Sequence, residues 1–138
     1  IQSSSATVGM VITLAKKALI SLPAAIAVML GAELGTCSDT LLATIRSDRQ
    51  AVKTGLFHFL FNLISICAGL LIFPYYVRLI EYISSGARIE QQIANAHMIF
   101  NIGGVILFLP FVGLMEKLLN KWLPEKNEQK NRVVRMAV

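Results

Sequence analysis

The sequence predicts an all-α membrane protein made of a half-helix, a broken transmembrane helix and two full transmembrane helices. Three observations carry this. Of 138 residues, 55% are hydrophobic and 15% charged, where soluble domains carry roughly 25% charged residues. Mean hydropathy is +0.63. Two stretches, Thr54 to Val77 and Ile93 to Met115, contain no Asp, Glu, Lys or Arg, and each exceeds the roughly 20 apolar residues that a spanning helix needs. The same balance excludes a disordered chain, collagen and a disulfide-stapled secreted module. The net charge of +5 does not indicate a nucleic-acid binder, because the charges sit in gaps between apolar runs.

The first element is Ala6 to Ala15, ten apolar or small residues, about 15 Å of helix and half a bilayer. Leu19 to Ala32 follows, with Ser21 and Pro23 suited to open a helix. A polar knot over Gly31 to Asp39 then interrupts the crossing before Leu41 to Ile45. Short half-helices with polar breaks at mid-membrane build binding sites in many secondary transporters, and irregular backbone at that depth needs protein or water around it.

With Lys16 and Lys17 on a first membrane face, Arg46 to Lys53 falls on the second, Arg78 to Gln92 on the first and the tail from Glu116 on the second. The first face then carries Lys16, Lys17, Arg78 and Arg88. The second carries Arg46, Arg49, Lys53, Lys117, Lys121, Lys126, Lys130, Arg132 and Arg135. The positive-inside rule puts the second face and the C-terminus in the cytoplasm. Only 14 residues follow Pro124, too few to bury a core, so 124–138 reads as a charged cytoplasmic tail. The chain opens on Ile1 with no basic leader, and it reads as part of a longer protein.

Three features are candidates for function. Gln2, Ser3, Ser4, Ser5 and Thr7 put an amide and four hydroxyls at the start of the half-helix, where unpaired N–H groups and the positive dipole end favour an anion. The same cluster also serves as an ordinary N-cap. Glu33, Thr36, Ser38 and Asp39 gather in the knot, and a carboxylate at that depth needs a cavity, a cation or a hydrogen-bond network. A repeated H-x-x-F-N places His58 and Asn62 on one crossing and His97 and Asn101 on the other, 39 residues apart. Residues i and i+4 share a helix face, which points to hydrogen bonding between helices ahead of ligand contact. Cys37 and Cys67 read as small buried hydrophobes. No catalytic triad, zinc spacing, Walker loop or dinucleotide fingerprint occurs, so no enzyme is expected.

Gln2-Ser3-Ser4-Ser5, Gly31 to Thr36 and the two H-x-x-F-N segments together resemble the type II sodium-dependent phosphate cotransporters, above all their bacterial members. The first is similar to the family's Q-S-S-S and the second to its G-A-N-I-G-T. The resemblance implies that 1–123 is the second repeat of an inverted-repeat transporter in the bacterial inner membrane. Its half-helix would then be the outgoing arm of a re-entrant hairpin, and an N-terminal repeat of the same protein would complete the site. It further implies phosphate as solute, held by Gln2, Ser3, Ser4, Ser5 and Thr7. Sodium would be the coupling ion, held by Glu33, Thr36, Ser38 and Asp39, with no other metal and no cofactor. The sequence departs from the family at Glu33, where Asn is usual, and at Cys37-Ser38-Asp39, where a Thr-rich run is usual. Carboxylates beside a phosphate repel it unless a cation intervenes or one is protonated. A carrier of another anion, a proton-coupled carrier and a non-transporting scaffold therefore stay open as alternatives.

Overall fold

The computed structural model describes residues 4–123, which form six α-helices and one 3-10 turn and contain no strand. Helix α1 covers Ser4–Lys16, α2 Leu22–Thr44, α3 Arg49–Leu71, α4 Phe73–Ile83, α5 Ile89–Phe108 and α6 Val112–Trp122. Gln2, Ser3 and the tail 124–138 lie outside the described residues. Leu22–Thr44, Arg49–Leu71 and Ile89–Trp122 are each long and apolar enough to cross a membrane, which makes this a multi-pass membrane protein.

The predicted half-helix is α1, 13 residues long and about 20 Å at 1.5 Å per residue. Ala18, at φ 55, turns the chain towards α2. Ser21 caps α2 as expected, its hydroxyl accepting from Ala24 N–H at 3.4 Å, with Pro23 in the first turn.

The break expected over Gly31 to Asp39 does not occur, because α2 runs through it unbroken. The reason is local satisfaction of the polar groups. Thr36, Ser38 and Thr40 donate their hydroxyls to the carbonyls of Ala32, Leu34 and Thr36 at 3.0, 2.8 and 2.9 Å. This back-bonding lets a hydroxyl sit inside a helix without unwinding it.

The crossing expected over Thr54 to Val77 begins earlier and ends earlier, as α3. Asp48 caps it by accepting from Ala51 N–H at 2.8 Å. Pro74 forbids its continuation, since proline has no N–H and disfavours helical backbone before it. Val77 therefore lies on α4, an amphipathic helix that buries Tyr76, Val77 and Ile80. The Tyr76 hydroxyl donates to Ala96 O at 2.5 Å and fixes α4 to α5. Gly86, at φ 77, makes the turn between them, a conformation that glycine adopts without strain. The crossing expected over Ile93 to Met115 is longer than predicted: α5 passes through a 3-10 turn at Leu109–Phe111, around Pro110, into α6.

Ile26, Met29 and Leu30 of α2, Val11 of α1, Ile80 of α4 and Ile93 of α5 are fully buried and form the centre of the core. Leu71, Ile106 and Leu109 are exposed, as lipid-facing residues of a membrane chain are. Two contacts mark the ends of the bundle. Lys16 lies 3.9 Å from Glu90, joining the end of α1 to the start of α5. The Lys53 ammonium donates to Asn120 Oδ1 at 2.7 Å, joining the start of α3 to α6. These pairings agree with the two faces drawn from the charges.

Candidate functional site

The beginning of α1 and the middle of α2 come together. Thr7 is 3% exposed and lines, with Val28, Gly31, Ala32 and Gly35, a pocket of about 400 Å³. Ser4 and Ser5 occupy the first turn of the same helix, Ser4 half-buried and Ser5 exposed. Two polar segments separated by more than twenty residues of sequence are thereby neighbours in space. An added Cβ at Gly31 or Gly35 meets no atom within 4 Å, so these glycines expose backbone on the pocket side of α2. Asp39 lies one turn beyond Gly35 on the same side and is exposed. Thr36 and Ser38 are half-buried, and their oxygens keep lone pairs after donating to the helix.

Glu33 is placed differently. It is buried, and it is not among the residues lining the pocket. Its Oε1 lies 2.6 Å from His97 Nε2 on α5. One turn further along α2, Cys37 Sγ lies 3.7 Å from His58 Nε2 on α3. The two repeated histidines thus dock α3 and α5 at successive turns of α2.

The other members of the repeat act in parallel. Asn62 donates to His58 O at 3.1 Å, and Asn101 to His97 O at 2.9 Å. Phe61 packs edge-on against Phe108 at 5.0 Å between centroids. A Cβ on Gly104 would stand 3.5 Å from the Phe61 ring, and one on Gly69 3.2 Å from the Phe100 ring. Each Phe of the repeat therefore packs against the opposite helix of the α3–α5 pair, near a glycine. The interhelical hydrogen bonding expected for H-x-x-F-N is made by the histidines alone, since each asparagine bonds within its own helix.

No buried side-chain nitrogen or oxygen among the described residues lacks a hydrogen-bond partner. Among those residues, no three His, Cys, Asp or Glu side chains gather closely enough to hold a metal ion.

The Na+/Pi-cotransporter family model matches residues 1–85, more than half of the chain. The chain belongs to the Na+/Pi-cotransporter family. The match includes Thr7, the glycines and acidic residues of α2 and the first H-x-x-F-N. This is a family of transporters, not of enzymes. The chain is also 29% identical over 126 residues to the uncharacterized protein YqeW of Bacillus subtilis (strain 168). That alignment takes in 91% of this chain and 40% of the relative, so the chain spans about two fifths of the relative's length. No solved structure matches the chain.

The bond between His97 and Glu33 was not legible as a pair. Its trace in the sequence is one carboxylate in the polar knot of α2 and one imidazole in the apolar run of α5. Each needs a partner when placed in lipid.

Proposed function

We propose that this member of the Na+/Pi-cotransporter family is the second repeat of a sodium-coupled importer of inorganic phosphate. It works by alternating access in a bacterial inner membrane, with its C-terminus in the cytoplasm. The N-terminal repeat of the same protein supplies the inverted counterpart of α1 and α2, and α1 is the outgoing arm of a re-entrant hairpin.

The observation that carries this reading is the pocket shared by Thr7 and the glycine face of α2. It brings the start of a short helix, rich in N–H and hydroxyl donors, against exposed backbone of a crossing helix. A tetrahedral oxyanion is favoured at such a helix start. In this reading Gln2, Ser3, Ser4, Ser5 and Thr7 hold phosphate, and Thr36, Ser38 and Asp39 offer oxygens to sodium. Glu33, committed to His97, is left out of the cation set.

Substitution in the full-length transporter tests the assignment. Ser4→Ala raises the apparent KM for phosphate, and changing Ser3, Ser4 and Ser5 to Ala together raises it further. Unchanged kinetics in the triple variant would remove these residues from the site.

A second reading, a carrier of the same architecture driven by protons, is favoured by the Glu33–His97 pair, since carboxylate and imidazole chains relay protons in membrane carriers. Uptake that follows a pH gradient and needs no sodium would support it.

A further inference from the structure

We infer that the cleft between the start of α3 and the end of α6 binds a zwitterionic phospholipid, with its phosphate at Lys53 and its headgroup ammonium at Glu116. Such a site depends on the membrane placement of the two helices and not on the solute carried.

The cleft encloses about 370 Å³, within the roughly 300–1,000 Å³ of small-ligand sites. Gln50, Lys53 and Phe57 line it on α3, and Val112, Glu116 and Asn120 on α6. Neighbours in each set are three or four residues apart, so each set forms one helix face. Helix α3 enters the membrane where α6 leaves it, because the Lys53 ammonium donates to Asn120 Oδ1 at 2.7 Å. Trp122, 61% exposed at the end of α6, stands where interfacial aromatic anchors do. The polar residues of both walls therefore lie at the surface end. Measured at 1.5 Å per residue, Phe57 lies about 6 Å deeper than Lys53 and Val112 about 12 Å deeper than Asn120. The Phe57 ring is set edge-on against Phe108 at 5.9 Å between centroids. A cleft that is polar at the membrane surface and apolar below has the polarity gradient of a phospholipid. A free anion would match only its outer half.

Charge selects the headgroup. Lys53 is 7% exposed and is held at the wall by Asn120, where its ammonium suits a phosphate oxygen. Glu116 is exposed on the facing helix. It would repel a purely anionic headgroup, as Lys53 would repel a purely cationic one. Phosphatidylethanolamine carries both charges. Its ammonium donates to a carboxylate, which the fully methylated ammonium of phosphatidylcholine cannot do.

The test is the melting temperature of the full-length protein in detergent, with short-chain phosphatidylethanolamine, phosphatidylglycerol or phosphatidylcholine added. A ligand that binds only the folded state raises that temperature. The ethanolamine lipid is expected to raise it by about 2–4 °C, and the other two by less. Glu116→Gln is expected to bring the ethanolamine and glycerol lipids level, and Glu116→Lys to reverse their order. Lys53→Met is expected to abolish the shift with all three. Because Lys53 is buried, that variant is read only if it folds, and the exposed Glu116 variants decide the matter without it. Equal shifts in the wild type, a larger shift with phosphatidylglycerol, or an unchanged order in Glu116→Lys would overturn the inference.

Discussion

His97 of α5 and Glu33 of α2, 64 residues apart in sequence, meet at 2.6 Å between Nε2 and Oε1. A carboxylate inside a crossing helix costs several kcal/mol in lipid, about 2.5–3.5 for Asp on the insertion scale. The imidazole offsets part of that cost and joins two crossings at once. A double-mutant cycle of Glu33→Ala and His97→Ala, read as melting temperature in detergent, is expected to show coupling of about 1.5–3 kcal/mol, the range of a hydrogen bond to a charged group. Additive effects would mean that the two side chains do not interact.

Gly55 and Gly35 are expected to respond oppositely to the same substitution. A Cβ at Gly55 would stand 2.6 Å from Thr44 Oγ1 and 3.5 Å from Leu41 Cα. The Thr44 hydroxyl is held by its bond to Leu41 O at 2.8 Å. Gly55→Ala should therefore push α3 off α2 and cost about 1–3 kcal/mol, the usual penalty of overpacking. Gly35→Ala meets nothing within 4 Å and should leave the melting temperature unchanged or slightly raised, while altering phosphate uptake. Equal melting temperatures for both variants would contradict the α2–α3 contact.

Tyr76→Phe removes the hydroxyl that donates to Ala96 O and keeps the buried ring. A loss of about 1 kcal/mol is expected, visible as a lower melting temperature with no change in KM for phosphate, because α4 lies away from the Thr7 pocket. A shifted KM would show that α4 takes part in the site.

The membrane orientation is open to a labelling test. In a background with Cys37 and Cys67 replaced by Ser, a cysteine at Ser47 should react with an impermeant thiol reagent only from the cytoplasmic side. One at Ser85 should react only from the outside. Both positions are exposed, Ser47 between α2 and α3 and Ser85 between α4 and α5. The reverse pattern would invert the orientation that the basic residues imply.

Helix class, the short first helix and the Ser21 cap were legible in the sequence because they depend on local composition, capping and proline chemistry. The limits of the long crossings were less so. Hydropathy treats Leu71 to Val77 as one apolar run, whereas Pro74 splits it, and hydropathy alone does not weigh a missing N–H. The knot over Gly31 to Asp39 looked like a break because glycine and hydroxyl residues are poor helix formers in water. In this fold the hydroxyls of Thr36 and Ser38 bond within the helix, and Glu33 finds its partner 64 residues away. That partner is a tertiary fact which no local pattern contains. Only the packing of α1 on α2 shows that Thr7 and the glycine face share one pocket, while Glu33 turns away from it.

Uptake of labelled phosphate bears most directly on the functional reading. Cells that lack their own phosphate transport, expressing the full-length transporter in their membrane, should accumulate phosphate when sodium is outside and stop when potassium replaces it. Equal uptake in both salts, or none in either with the protein shown to be in the membrane, would contradict sodium-coupled phosphate import by this chain.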